Sequence, residues 1–248
     1  MQRQGFSLVE LSIVLVILGL LTGGILAGQS LIRASELRAV NTEYERYTAA
    51  VGTFRDKYFN LPGDVTATVT LFTTAGGGLT GNGQIDGSAT AANNETAYFW
   101  IDLAQAGLVE GNYANNDWTV APTVGTNVPR SKMGQGAWYI SYVGPVVAAG
   151  ANGYYAGNYA NAFLFAKATT LNSPAAASGL LKSEEAWNID TKMDDGLPAS
   201  GSVTALQAQG SATAGAGCGN NTTAATTTAY DLTNTNRGAC SLVFKSGY

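Results

Sequence analysis

The chain has 248 residues, enough for one large domain or two small ones with a sizeable core, and only 12% of them are charged. Its 17 acidic and 13 basic residues give a net charge of −4, so no overall electrostatic pull draws it to nucleic acid, whose binding rests on phosphate neutralisation by Lys and Arg. The absence of histidine excludes Ser-His-Asp and Cys-His catalysis and removes the commonest zinc ligand.

The first element is an apolar run from Phe6 to about Ala27, preceded by a short polar leader whose one basic residue is Arg3. As a helix of roughly 22 residues it would be about 33 Å long, enough to cross a bilayer. A secretory signal peptide would have a shorter apolar core and small residues at its cut site, and a cut after Gly28 would place Leu26 where a small residue belongs. A plain signal anchor explains the length but not Glu10. An ionised carboxylate in such a segment costs about 2.5–3.5 kcal/mol on insertion scales and marks a functional candidate. Its bland alternative is a carboxylate that snorkels to the headgroups.

Glu10 belongs to a pattern. Gly5-Phe6-Ser7-Leu8-Val9-Glu10 and the Leu/Ile/Val run that follows resemble the type IV prepilin processing signal, which is shared by pilins and pseudopilins. The resemblance implies removal of residues 1–5 by a membrane aspartyl peptidase that cuts after Gly5, and N-methylation of Phe6. It further implies that Glu10 pairs with the new amine on a neighbouring subunit's Phe6, offsetting two desolvation costs and fixing axial register. Glycine at the cut lets the backbone lie close to the protease. Orientation is weakly specified, because Arg33 and Arg38 follow the span and long domains translocate with little regard to charge.

Beyond the apolar run, Leu37, Val40, Tyr44, Tyr47, Val51, Phe54 and Tyr58 are spaced 3-4-3-4-3-4, one stripe on a helix face. Glu36, Arg38, Glu43, Glu45, Arg46, Arg55 and Asp56 fall on the other faces. The stripe is rich in aromatic residues, which favours packing on a sheet over a two-stranded coiled coil. The Asn60-Leu61-Pro62-Gly63 stretch ends the helix. Together the halves predict one helix of about 54 residues, near 80 Å long. Residues 6–30 form its transmembrane or filament-core half and residues 31–60 its amphipathic half. Gly19, Gly23, Gly24 and Gly28 near the end of the apolar half suit either close helix–helix contact or a stretch that unwinds on leaving the bilayer.

Residues 61–248 read as a globular head. Short helices are expected at residues 94–108 and 182–190, strands at 137–143, 161–167 and 241–245, and a further strand at 116–120. A Gly/Tyr/Asn-rich stretch around residues 150–160 suits a hairpin loop. A long helix followed by a mostly antiparallel sheet is an α+β arrangement, which is also the pilin-like fold that the resemblance implies. Cys218 and Cys240, in a chain rich in Ala, Gly, Thr and Asn that reads as exported, suggest one disulfide; two free buried cysteines are the alternative. Their position is similar to the disulfide-bounded C-terminal loop of pilins. Asp190, Asp194 and Asp195 resemble an Asp-rich turn that binds calcium in some pilins and pseudopilins. The residues alone favour a turn whose aspartates cap backbone amides, with Ca2+ as the alternative. Residues 81–87 match a calcium loop only faintly, and no other cofactor is indicated. The sequons at Asn94 and Asn220 would carry little weight in a bacterial setting.

The function these features imply is structural: a pilin of a type IV pilus-like filament, assembled from copies of itself and other pilins. The resemblance brings in a prepilin peptidase and methyltransferase and an inner-membrane assembly platform. It implies a single-pass inner-membrane precursor, later an extracellular pilus or a periplasmic pseudopilus. A pseudopilin of a type II secretion system is the nearest variant. A minor pilin acting in adhesion or DNA uptake is another, since the head is large. The rival class is a membrane-anchored enzyme or ligand-binding domain. No catalytic motif supports it, and the adjacent Asp194 and Asp195 are poorly placed as a two-sided acid/base pair.

Overall fold

A computed structural model describes residues 7–65, 81–86, 95–113, 123–146, 154–167, 179–207, 217–220, 228–236 and 238–248. Helix α1 runs unbroken from Leu8 to Tyr58, 51 residues, and therefore spans about 76 Å. It starts on a capping box at Ser7 and stops at Phe59, whose left-handed conformation (φ 57°) closes the last turn with its amide N–H donating to the Arg55 carbonyl. Pro62-Gly63 follows, and the Gly63 amide donates to Asp102 of α2 (Glu95–Gln105). Gly63 has φ 83°, and a Cβ there would collide with the Glu95 carbonyl and the Phe99 amide, so this approach requires glycine.

The head is built on four antiparallel strands in the order β1-β4-β6-β5, from β1 (Gly136–Tyr142), β4 (Asn161–Lys167), β5 (Val203–Gln207) and β6 (Cys240–Lys245). Between β1 and β4, β2 (Pro145–Val146) and β3 (Gly157–Asn158) form a two-residue ladder at the base of the expected hairpin. Helix α3 (Ser183–Met193) connects β4 to β5. This is the expected α+β, pilin-like architecture. The expected strand at residues 116–120 lies outside the described residues.

The register places Trp138, Phe163, Phe165 and Phe244 on one sheet face, and α1 lays its aromatic stripe over them. Tyr44 stacks on Phe244 with ring centroids 4.7 Å apart. Tyr47 meets Trp138 edge-on at 5.7 Å and Trp100 of α2 at 5.0 Å. Val40, Tyr47, Val51 and Phe54 are fully buried. The other sheet face, with Tyr139, Leu164, Leu206 and Val243, is buried as well, so the strands read as continuous apolar runs rather than alternating ones.

Candidate functional site

Over the stem of α1, residues 8–32, no described residue covers the apolar side chains. Leu8 is 84% exposed, Leu20 73% and Leu31 73%. Among the described residues it is the one helix long and apolar enough to cross a membrane. Its hydroxyls are already satisfied within the helix: Ser12 donates to the Val9 carbonyl, Thr22 to Leu18 and Ser30 to Ala27, each at 2.8 Å. A lipid-facing helix needs this internal pairing. Gly19, Gly23, Gly24 and Gly28 lie within the unbroken helix, and a Cβ at any of them would meet nothing within 4 Å. Contacts inside the chain therefore do not account for the four glycines.

At the start of the stem, the Ser7 amide donates to Glu10 Oε2 at 2.8 Å, and Ser7 Oγ accepts from the Val9 amide at 3.4 Å. The carboxylate thus satisfies one of the orphan donors of its own helix and lies in the first turn, where the helix dipole favours negative charge. Gly5 and Phe6, the expected cleavage and methylation positions, lie outside the described residues.

The head grips the other half of α1 through carboxylates as well as rings. The Arg33 guanidinium binds Glu185 of α3 with two 2.6 Å bonds and Glu36 at 2.9 Å. Glu43 corrects the sequence reading, which placed it on a face other than the apolar stripe. It is 5% exposed and accepts from Trp138 Nε1 and from the Lys132 amide, both at 2.7 Å. Lying four residues before Tyr47, it shares that residue's face. Asp102 of α2 was not singled out by sequence. It is buried and takes the Gly63 amide at 2.8 Å, and burial pushes its carboxyl up to about 6 despite that bond.

The aspartate turn follows α3. Asp190 is fully buried; its oxygens accept from the Tyr230 hydroxyl at 2.8 Å and the Gly196 amide at 3.3 Å. Desolvation, helped by the nearby Asp194 and Asp195 charges, raises its carboxyl to about 7 against those two bonds. Asp194 accepts from the Ser202 and Val203 amides, and Asp195 from the Leu197 amide and the Ser200 hydroxyl. One oxygen from each aspartate lies within 4.8 Å of the others. As arranged, the trio is turned toward amide and hydroxyl donors, and only Asp194 Oδ1 accepts no hydrogen bond among the described residues. The trio therefore caps backbone amides and hydroxyls, and a hard cation held there would share the carboxylate oxygens with those donors. Similarly, the amides of Gly81 and Gly83 donate to Asp64.

Cys218 and Cys240 form a disulfide across 22 positions, their Cα atoms 4.9 Å apart. It ties the C-terminal loop to the first residue of β6. The described part of that loop pairs Gly219 with Tyr230, and Tyr230 reaches Asp190.

Residues 1–26 match the family model described as the prokaryotic N-terminal methylation motif, the cleavage and methylation signal of type IV pilins and pseudopilins. No curated protein and no solved structure matches the chain.

Proposed function

We propose that the chain is a structural subunit of a type IV pilus-like filament, cut after Gly5, N-methylated on Phe6 and assembled through the bare half of α1. One observation carries this reading: the segment that bears the methylation motif continues directly into a helix half that is apolar and unburied while its other half is wrapped by a head. Such a helix needs a surrounding that water does not supply, first a bilayer and then the stems of other subunits. In that packed interior Glu10 takes the amine of a neighbouring Phe6 as counter-charge, which sets the axial step between subunits more than it adds net affinity.

A pseudopilin carries the same signal, and the terminal disulfide favours the pilin. The role is non-enzymatic. The four parts of the chain are then the leader (1–5), the stem (6–30), the head-bearing half of the helix (31–60) and the head (61–248). The intact mass of exported protein tests the processing step. Loss of residues 1–5 with one added methyl group is expected; a chain still starting at Met1 overturns the reading. Imaging cells that make this chain as their only pilin tests the filament, and bare cells holding correctly cut protein in the membrane would overturn the assembly claim.

A further inference from the structure

We infer that before assembly the head rests on the bilayer surface through α3, with Trp187 as its aromatic contact at headgroup level. This deepens the membrane-inserted stage of the proposed function and rests on it. Moving outward along α1, the first polar side chain to engage the head is Arg33, immediately after the exposed, apolar Leu31 and Ile32. Its partner Glu185 lies on α3, so α3 is the head element level with the end of the apolar span.

Helix α3 is amphipathic in the sense this requires. Glu185, Ala186, Ile189 and Asp190 face inward, while Trp187 is 38% exposed on the outside. Trp187 follows Glu185 by two residues, about 3 Å along the helix. Beside it is a second exposed apolar group, Leu197 at 42%: a Cβ on the adjacent Gly196 would lie 3.5 Å from Trp187 Nε1. The indole N–H makes no hydrogen bond among the described residues, whereas the buried Trp138 gives its own to Glu43. A Trp with an apolar ring and an N–H that no described residue accepts, next to the mouth of a membrane span, has the chemistry of side chains that gather at the lipid–water boundary. Continuity with the stem selects lipid as the occupant, because any bilayer that takes residues up to Ile32 brings its headgroups to the level of α3.

The test uses the full chain reconstituted in vesicles of phosphatidylethanolamine and phosphatidylglycerol, with and without bromine on the acyl chains near the headgroups. Brominated lipid should quench the tryptophan emission, and that quenching should fall at least about twofold in Trp187→Phe, a substitution that keeps an aromatic side chain but removes the indole. Equal quenching in both proteins overturns the inference, as does a Trp187 signal that changes with protein-to-lipid ratio, which would mean a second copy covers the ring. Chain that floats with the vesicles while Trp187 stays unquenched overturns this inference alone. Chain that fails to float overturns the membrane-inserted reading beneath it.

Discussion

Helix α1 is one continuous element whose two halves are stabilised by different agents. From Arg33 to Tyr58 it is held by its own head, through Val40, Tyr47, Val51 and Phe54 in the core, Glu43 on Trp138 and Arg33 on Glu185. From Leu8 to Ile32 the apolar side chains are exposed, and no described residue packs over them. The difference shows that helix propensity and hydrophobicity do not by themselves say what an element packs against. Apolar side chains are core in one half and exposed in the other.

Substitutions that act on one half alone would sharpen this contrast. Glu10→Leu should have the largest effect. It leaves the head untouched and should be inserted and cut normally, yet yield few or no filaments; normal filament yield in cells lacking other pilin would refute the register argument. Next, Phe54→Ala should cost the detergent-solubilised chain about 3–5 kcal/mol in chemical denaturation, and Leu20→Ala close to nothing, since only the first opens a cavity in the head. Comparable losses from both would dissolve the distinction.

The head should also respond to pH through Asp102. Its folded value, about 6, is above the ordinary 3.8. Its contribution is therefore complete below the unfolded value and lost as pH rises through about 6, by about 2–3 kcal/mol in all. Asp102→Asn should flatten melting temperature against pH between about 4 and 6, and an unchanged slope would contradict the assignment. Smallest is Arg33→Gln at the boundary between the halves, expected to lower head stability by about 1 kcal/mol, with most of the loss masked at high salt.

What could be read from residues alone follows the range of the interactions. The stripe from Leu37 to Tyr58 is local, and α1 ends within two residues of the expected stop. Strands β1, β4 and β6 were legible as aromatic and β-branched runs. Strand β5 was not: Val203-Thr204-Ala205-Leu206-Gln207 has modest strand propensity and lies at the sheet edge, where one neighbour, β6, defines it. Glu43 was placed off the apolar stripe because it is not one of its apolar residues, while its partners Lys132 and Trp138 lie 89 and 95 positions away. The roles of Asp190 and Arg33 likewise depend on Tyr230 and Glu185, 40 and 152 positions distant. No window along the chain contains those pairs.

The uninterrupted run of α1 through Gly19, Gly23, Gly24 and Gly28 has a mechanical consequence. No break in the helix separates the rings gripped by the head from the far end of the stem. A force applied to the head along this axis would reach the first turn as tension shared by the parallel columns of backbone hydrogen bonds of one helix. Glycine is a poor helix former, so residues 19–28 are where those columns are intrinsically weakest, while the head grips only its own half of the rod.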